Sequence, residues 1–194
     1  RPEAALAQAR HLAAHSDMLD LGGESTRPGA AEVAQAEEIA RTAPVIRALR
    51  ADGIATPISI DTRKATVAAA ALDAGADLVN DVSGFDFDPG MAGLVAARAA
   101  PVCIMHAQGL PETMQHDPRY GDVLLDVYDA LETRLQRAEA AGIDRRRILL
   151  DPGIGFGKTQ AHNLALLRRI GLFHGLGCGL LLGVSRKRFI GRLG

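Results

Sequence analysis

The stretch "LLDPGIGFGKT" (residues 149–159) sets an apolar run ahead of an aspartate and a loop with glycine at every second position. Its second half imitates a phosphate-binding loop, with Gly157, Lys158 and Thr159 in order. That motif needs its first glycine at 152, where the chain has Pro152. A dinucleotide fingerprint starting at Gly153 fails as well, because its third glycine would fall on Lys158. What remains is a strand that ends in a carboxylate and opens onto a glycine-rich loop. Asp151 is therefore a candidate site residue. Gly153, Gly155 and Gly157 are expected to let backbone approach a ligand closely, and Phe156 between them suits the cover of a flat ring.

The same arrangement recurs along the chain. Further strand candidates are "MLDLG" (18–22), "PISID" (57–61), "DLVNDV" (77–82), "PVCIMH" (101–106) and "LLLGVS" (180–185), beside "RILLD" (147–151). Helical patterns lie near 3–14, 32–51, 64–74, 89–98, 118–141 and 160–170. Pro2, Pro89 and Pro118 suit first helical turns, and Gly53, Gly75 and Gly142 suit helix ends. The runs are nearly all apolar, as in strands covered on both faces. Alternating βα units predict a parallel sheet with right-handed crossovers. No linker, repeat or low-complexity segment divides residues 1–194, which reads as one domain. Polar groups gather where the strands end: Asp20 and Glu24, Asp61, Asn80 and Asp81, His106, Asp151, Ser185 and Lys187. In a parallel α/β fold those ends open on one face, where sites lie.

Composition narrows the function classes. With 194 residues and a net charge of −1, both signs interspersed, the composition argues against a nucleic-acid-binding surface. No apolar run approaches the ~18 residues of a membrane span. The two cysteines, Cys103 and Cys178, sit in apolar runs and read as buried free thiols of a reducing, cytoplasmic compartment. "HLAAH" (11–15) lacks the glutamate of a zinc-binding His-Glu-x-x-His, so no metal ligands are expected from this chain's own residues. His106 reads as a structural hydrogen bonder.

Two further loops carry candidates. "GGESTRPGA" (22–30) places Glu24, Ser25, Thr26 and Arg27 between glycines, which suits an anionic ligand. "GVSRKRFIG" (183–191) clusters Arg186, Lys187 and Arg188. Ser185 there fits neither the esterase elbow nor Ser-x-x-Lys. Two aspartates, an asparagine and a lysine on one face suit a 2-amino-4-oxo pyrimidine ring, as in guanine or a pterin. A carboxylate accepts the paired N–H groups of that ring's amino edge.

Taken together, "DLGGESTRPGA", "SIDTRK", "LVNDVSG", "IMHAQG", "LDPGIGFGK" and "GVSRKRFIG" resemble, in order and spacing, the signature segments of the dihydropteroate synthases of the pterin-binding enzyme family. The resemblance implies a (β/α)8 TIM barrel, of which six βα units are visible. It implies a transferase that joins 6-hydroxymethyl-7,8-dihydropterin pyrophosphate to p-aminobenzoate, releasing 7,8-dihydropteroate and pyrophosphate. Carried over by motif, the pterin site comprises Asp61, Asn80, Met105, Asp151, Gly183 and Lys187. The p-aminobenzoate site comprises Thr26, Arg27, Phe156, Ser185 and Lys187, and Asp61, Asp151 and Lys187 are the catalytic set. Mg2+ as cofactor, a homodimer and sensitivity to sulfonamides are implied in the same way.

A barrel of this kind typically needs about 250 residues. The family's first strand and loop, with an Asn for Mg2+ and pyrophosphate, and its last strand, with an Arg-x-His anion site, are not recognisable here. The expectation is a chain truncated at both ends, able to bind pterin without synthesis if these residues are all there is. Alternative readings are a pterin-binding methyltransferase working with methyltetrahydrofolate and a corrinoid partner, or a non-catalytic pterin-binding fragment.

Overall fold

A computed structural model describes residues 2–26, 30–109 and 117–185. Six strands form one parallel sheet in sequential order: β1 (Leu19–Gly22), β2 (Ile58–Asp61), β3 (Leu78–Asp81), β4 (Val102–Met105), β5 (Ile148–Asp151) and β6 (Gly179–Leu180). Helices α1 (Pro2–Ala13), α2 (Gln35–Ala51), α3 (Ala65–Ala74), α4 (Met91–Arg98), α5 (Val123–Ala140) and α6 (Gln160–Arg168) fall before and between them. Strands laid side by side in chain order, each returned by a helix, are successive staves of a (β/α)8 barrel.

Local chemistry sets several boundaries. Asp122 caps α5, accepting from Leu124 N at 2.8 Å and Leu125 N at 3.3 Å. Val123, Val127, Leu131, Leu135 and Ala138 then recur at helical spacing and are all buried. Gly75 ends α3 with φ 109°, a left-handed conformation that glycine adopts without strain. Three boundaries depart from expectation. The helix expected from Pro118 begins at Val123, because the cap is Asp122. Pro89 lies ahead of α4, whose N-cap is Gly90. The last strand is Gly179–Leu180 rather than 180–185, although Leu181 N–H still donates to Leu150 O at 3.0 Å. A 3₁₀ segment over Ile170–Leu176, which the sequence did not announce, delivers the chain to β6 early.

The strands are not uniformly apolar on both faces, contrary to expectation. Side chains alternate between faces along a strand. The register pairs Gly22 with Asp61, Asp61 with Asn80, Asn80 with Cys103, and Cys103 with Leu149. Asp20 with Ser59, and Met105 with Asp151, occupy the flanking rows of the same face. That face is the inner one. The outer face carries Leu19, Ile58, Ile60, Val79, Val102, Ile104, Ile148 and Leu150, all buried in one core with residues of α2 to α6. Burying each such side chain stabilises by about 1.5–3 kcal/mol. Adhesion thus lives on one face and chemistry on the other.

Candidate active site

The inner face concentrates negative charge. Asp61 ends β2, and its Oδ1 is buried without a hydrogen-bond partner among the described residues. Burial holds its pKa well above the usual carboxylate range, with further upward pressure from Asp20, Asp81, Glu38 and Glu24. Asp20 lies one row deeper and is also raised by burial. The Asn80 amide, donating at 3.4 Å to Asp20 Oδ2, partly offsets that. Asp151 is buried at the end of β5, beside Met105 in register, and its Oδ1 accepts from Gly153 N at 2.7 Å. A methyl group at Gly183 would stand 3.9 Å from Asp151 Oδ2, so the Gly183 backbone borders this carboxylate.

Beside these groups opens a cavity of about 300 Å³, lined by Thr26, Arg63, Phe87, Met105 and Phe156 among others. Its wall on the β2 side rests on a buried ionic network. Lys64, 1% exposed, donates to Glu24 Oε2 at 2.6 Å, Val33 O at 2.6 Å and Glu38 Oε2 at 2.8 Å. Arg63 Nε donates to Glu24 Oε1 at 2.8 Å, and its guanidinium carbon lies 4.0 Å from the centre of the Phe87 ring. Glu24 therefore ties the loop after β1 to the start of α3. Burial pushes its pKa up, but the Lys64, Val33 and Arg63 hydrogen bonds outweigh that and hold it below the ordinary value.

The glycine loop after β5 meets protein first. Gly153 has φ 68°, and a Cβ there would lie 1.8 Å from His106 O. At Gly157 a Cβ would lie 2.5 Å from Gln108 O. The close approach expected toward a ligand is, at these two glycines, an approach to the backbone leaving β4. Lys158 points inward, donating to His106 Nδ1 and Phe156 O at 2.9 Å each and to His106 O at 3.3 Å. Burial, and then the charges of Lys158 and Arg134, push the His106 pKa down to about 2, so its ring is neutral. His106 is the structural hydrogen bonder the sequence suggested.

The match to known proteins covers the whole chain. Residues 1–194 fit the family model described as pterin binding enzyme. The chain belongs to the pterin-binding enzyme family. Dihydropteroate synthase of Escherichia coli is 44% identical over 180 residues, covering 93% of this chain and 63% of that protein. The structure of Xanthomonas albilineans dihydropteroate synthase with 4-aminobenzoic acid superposes with a TM-score of 0.92 at 46% identity, over 99% of this chain and 68% of that one. The same enzyme in complex with 7,8-dihydropteroate gives 0.88 at 42% identity, over 99% and 67%. The chain thus spans about three fifths of the length of the curated relative, and its fold is that part of their (β/α)8 barrel.

Within this chain the predicted residues divide by place. Asp61, Asn80, Met105 and Asp151 share the inner face at the strand ends, with Gly183 against Asp151. Thr26 and Phe156 line the cavity, which Met105 shares. Asp61, Asn80 and Asp151 are not on the cavity lining; they stand at the strand ends. Ser185 is exposed. Arg27 and Lys187 lie outside the described residues. Sequence reading missed Arg63 and Phe87 on the cavity, and the partnership of Glu38 with Lys64. Arg63 and Lys64 stood within the quoted "SIDTRK", where two cations after a strand-end aspartate were the available signal. Glu38 sits in a helix with polar neighbours and gave none.

Among the described residues no group of three or more His, Cys, Asp or Glu side chains is placed to hold a metal ion. No described helix is long and apolar enough to cross a membrane.

Proposed function

We propose that this protein is a dihydropteroate synthase, condensing 6-hydroxymethyl-7,8-dihydropterin pyrophosphate with p-aminobenzoate. The observation that carries the reading is the placement of Asp20, Asp61 and Asp151 along one inner face, beside a cavity with aromatic lining. Asp61, whose pKa is raised by burial and by the neighbouring charge of Asp20, favours a positive neighbour. The reaction supplies one. The bond from the pterin methylene carbon to pyrophosphate oxygen breaks, and its electron pair leaves with pyrophosphate. The ring system carries the positive charge, the arylamine nitrogen bonds to the methylene carbon, and that nitrogen releases a proton. Fixed negative charge beside the developing cation stabilises it without reorganisation.

Asp151 accepts the paired N–H groups of the amino-pyrimidine edge, and Asn80 bonds ring nitrogens. The orphan oxygen of Asp61 accepts a further ring N–H. Phe156 and Thr26 border the arylamine. The relatives solved with 4-aminobenzoic acid and with 7,8-dihydropteroate support both subsites. Mg2+ is proposed as cofactor. It takes few protein ligands and prefers phosphate oxygens, so pyrophosphate would be its principal holder. A homodimer in the cytoplasm, inhibited by sulfonamides, completes the proposal. Two free buried thiols support a reducing compartment.

The test is Asp151→Asn. It turns an acceptor into a donor facing ligand N–H groups and should weaken pterin binding by ~1–3 kcal/mol or more. Titration calorimetry with the pterin substrate measures this, and unchanged affinity sinks the assignment.

A further inference from the structure

Arg63 is held as a binding group is held, rather than as a surface cation. It is 8% exposed and lines the cavity. Its Nε–H goes to Glu24 and its flat face to Phe87, two contacts that fix the plane of the guanidinium. The N–H groups of Nη1 and Nη2 have no hydrogen-bond partner among the described residues. Guanidinium is a planar fork matched to two oxygens of one anion, and it is weakly hydrated, which suits a buried site.

The surrounding charge permits an anion. Glu24 is shared with Lys64, which also neutralises Glu38. Asp86, the one carboxylate among the described residues of the cavity wall, is bound by Arg134 at 2.6 Å and Arg137 at 2.8 Å. Among the described residues, the ion pairs behind this wall join four cations, Arg63, Lys64, Arg134 and Arg137, to three carboxylates, Glu24, Glu38 and Asp86.

We propose that Arg63 is an oxyanion-binding residue of this cavity, presenting its Nη pair to a carboxylate or phosphate group of a substrate. The proposal rests on the synthase reading, in which both substrates bring such a group: the carboxylate of p-aminobenzoate and the pyrophosphate of the pterin. Phe87 and Glu24 position the fork, and Arg63 touches the substrate.

The test compares the purified protein with Arg63→Gln, which removes the charge, and Arg63→Lys, which keeps charge and the Glu24 pairing but not the fork. Thermal unfolding first establishes which variants fold. Binding of inorganic pyrophosphate, of p-aminobenzoate and of neutral p-aminobenzamide is then measured, the last two with pterin and pyrophosphate present. A charge-assisted bidentate contact predicts a loss of roughly 10-fold or more for the anion in Arg63→Gln. A smaller loss is expected in Arg63→Lys, and p-aminobenzamide should bind within about 2-fold of wild type. Loss of the preference for acid over amide assigns the carboxylate, whereas a loss confined to pyrophosphate assigns the leaving group. Anion affinities unchanged in both variants overturn the proposal. So does an equal loss for p-aminobenzoate and p-aminobenzamide with pyrophosphate unaffected. Wild-type protein that forms dihydropteroate while Arg63→Gln behaves normally refutes Arg63 alone. Wild-type protein that forms none refutes the synthase reading instead, and pyrophosphate binding still tests Arg63.

Discussion

Asp61 shows how one residue records the demand of its site. A carboxyl oxygen buried without a partner costs free energy, and the neighbouring carboxylates add repulsion once the group ionises. The sign of the linkage follows from the raised pKa. Stability due to Asp61 is complete below its unfolded value near 3.8 and is lost as pH rises through the higher folded value. Asp61→Asn keeps the shape and removes the ionisation. It is predicted to raise the unfolding temperature at pH 8 by ~2 °C or more over wild type, with little change at pH 4. Scanning calorimetry at the two pH values decides this, and an equal shift at both would show that charge is not the cause. The same substitution should weaken pterin binding, because function and stability pull this side chain in opposite directions.

Among the elements, the loop after β5 sorts what a sequence can disclose from what it cannot. The strand, the terminal Asp151 and the glycine spacing were all legible, and so was the failure of the phosphate-loop pattern. The inward turn of Lys158 was not, because it donates to Phe156 and to His106, some fifty positions earlier. A glycine permits close approach without naming what approaches. For Gly153 the partner is the His106 carbonyl. Gly153→Ala should therefore destabilise by about 3 kcal/mol or more, from left-handed backbone strain and steric overlap together. Urea unfolding measures it, and a cost below ~1 kcal/mol would mean the loop can shift aside. The fold was readable at element level because apolar runs and caps act locally. The alternation of "SID" and "LDLG" also held the inner face in plain view, yet so few residues per strand look apolar throughout. Arg63, Lys64 and Glu38 form a unit only when α2 packs on α3, which no local pattern encodes.

At the scale of the whole molecule, two buried charge systems oppose each other in pH. The Glu24–Lys64–Glu38 network carries the lowered pKa of Glu24, so its stabilisation is present above about 4.5 and is lost as pH falls through the lower folded value. Asp20, Asp61 and Asp81 carry raised values, so their contribution is lost as pH climbs. Stability is predicted to peak on the acid side of neutrality and fall on both flanks. Unfolding temperature recorded from pH 3 to 9 tests this. Glu24→Gln should flatten the acid limb alone, and a profile level across the range would contradict the opposition.

Cys103 sits on the inner face between Asn80 and Leu149, fully buried, and burial followed by the charges of Asp151, Asp20, Asp61 and Asp81 raises its thiol pKa. A thiol so placed is silent to maleimides while the strands stay together. Labelling can proceed only through molecules whose sheet has momentarily parted, so its rate counts those partings. The protein carries its own stopwatch for barrel breathing, and a ligand seated on the same face should slow the hand.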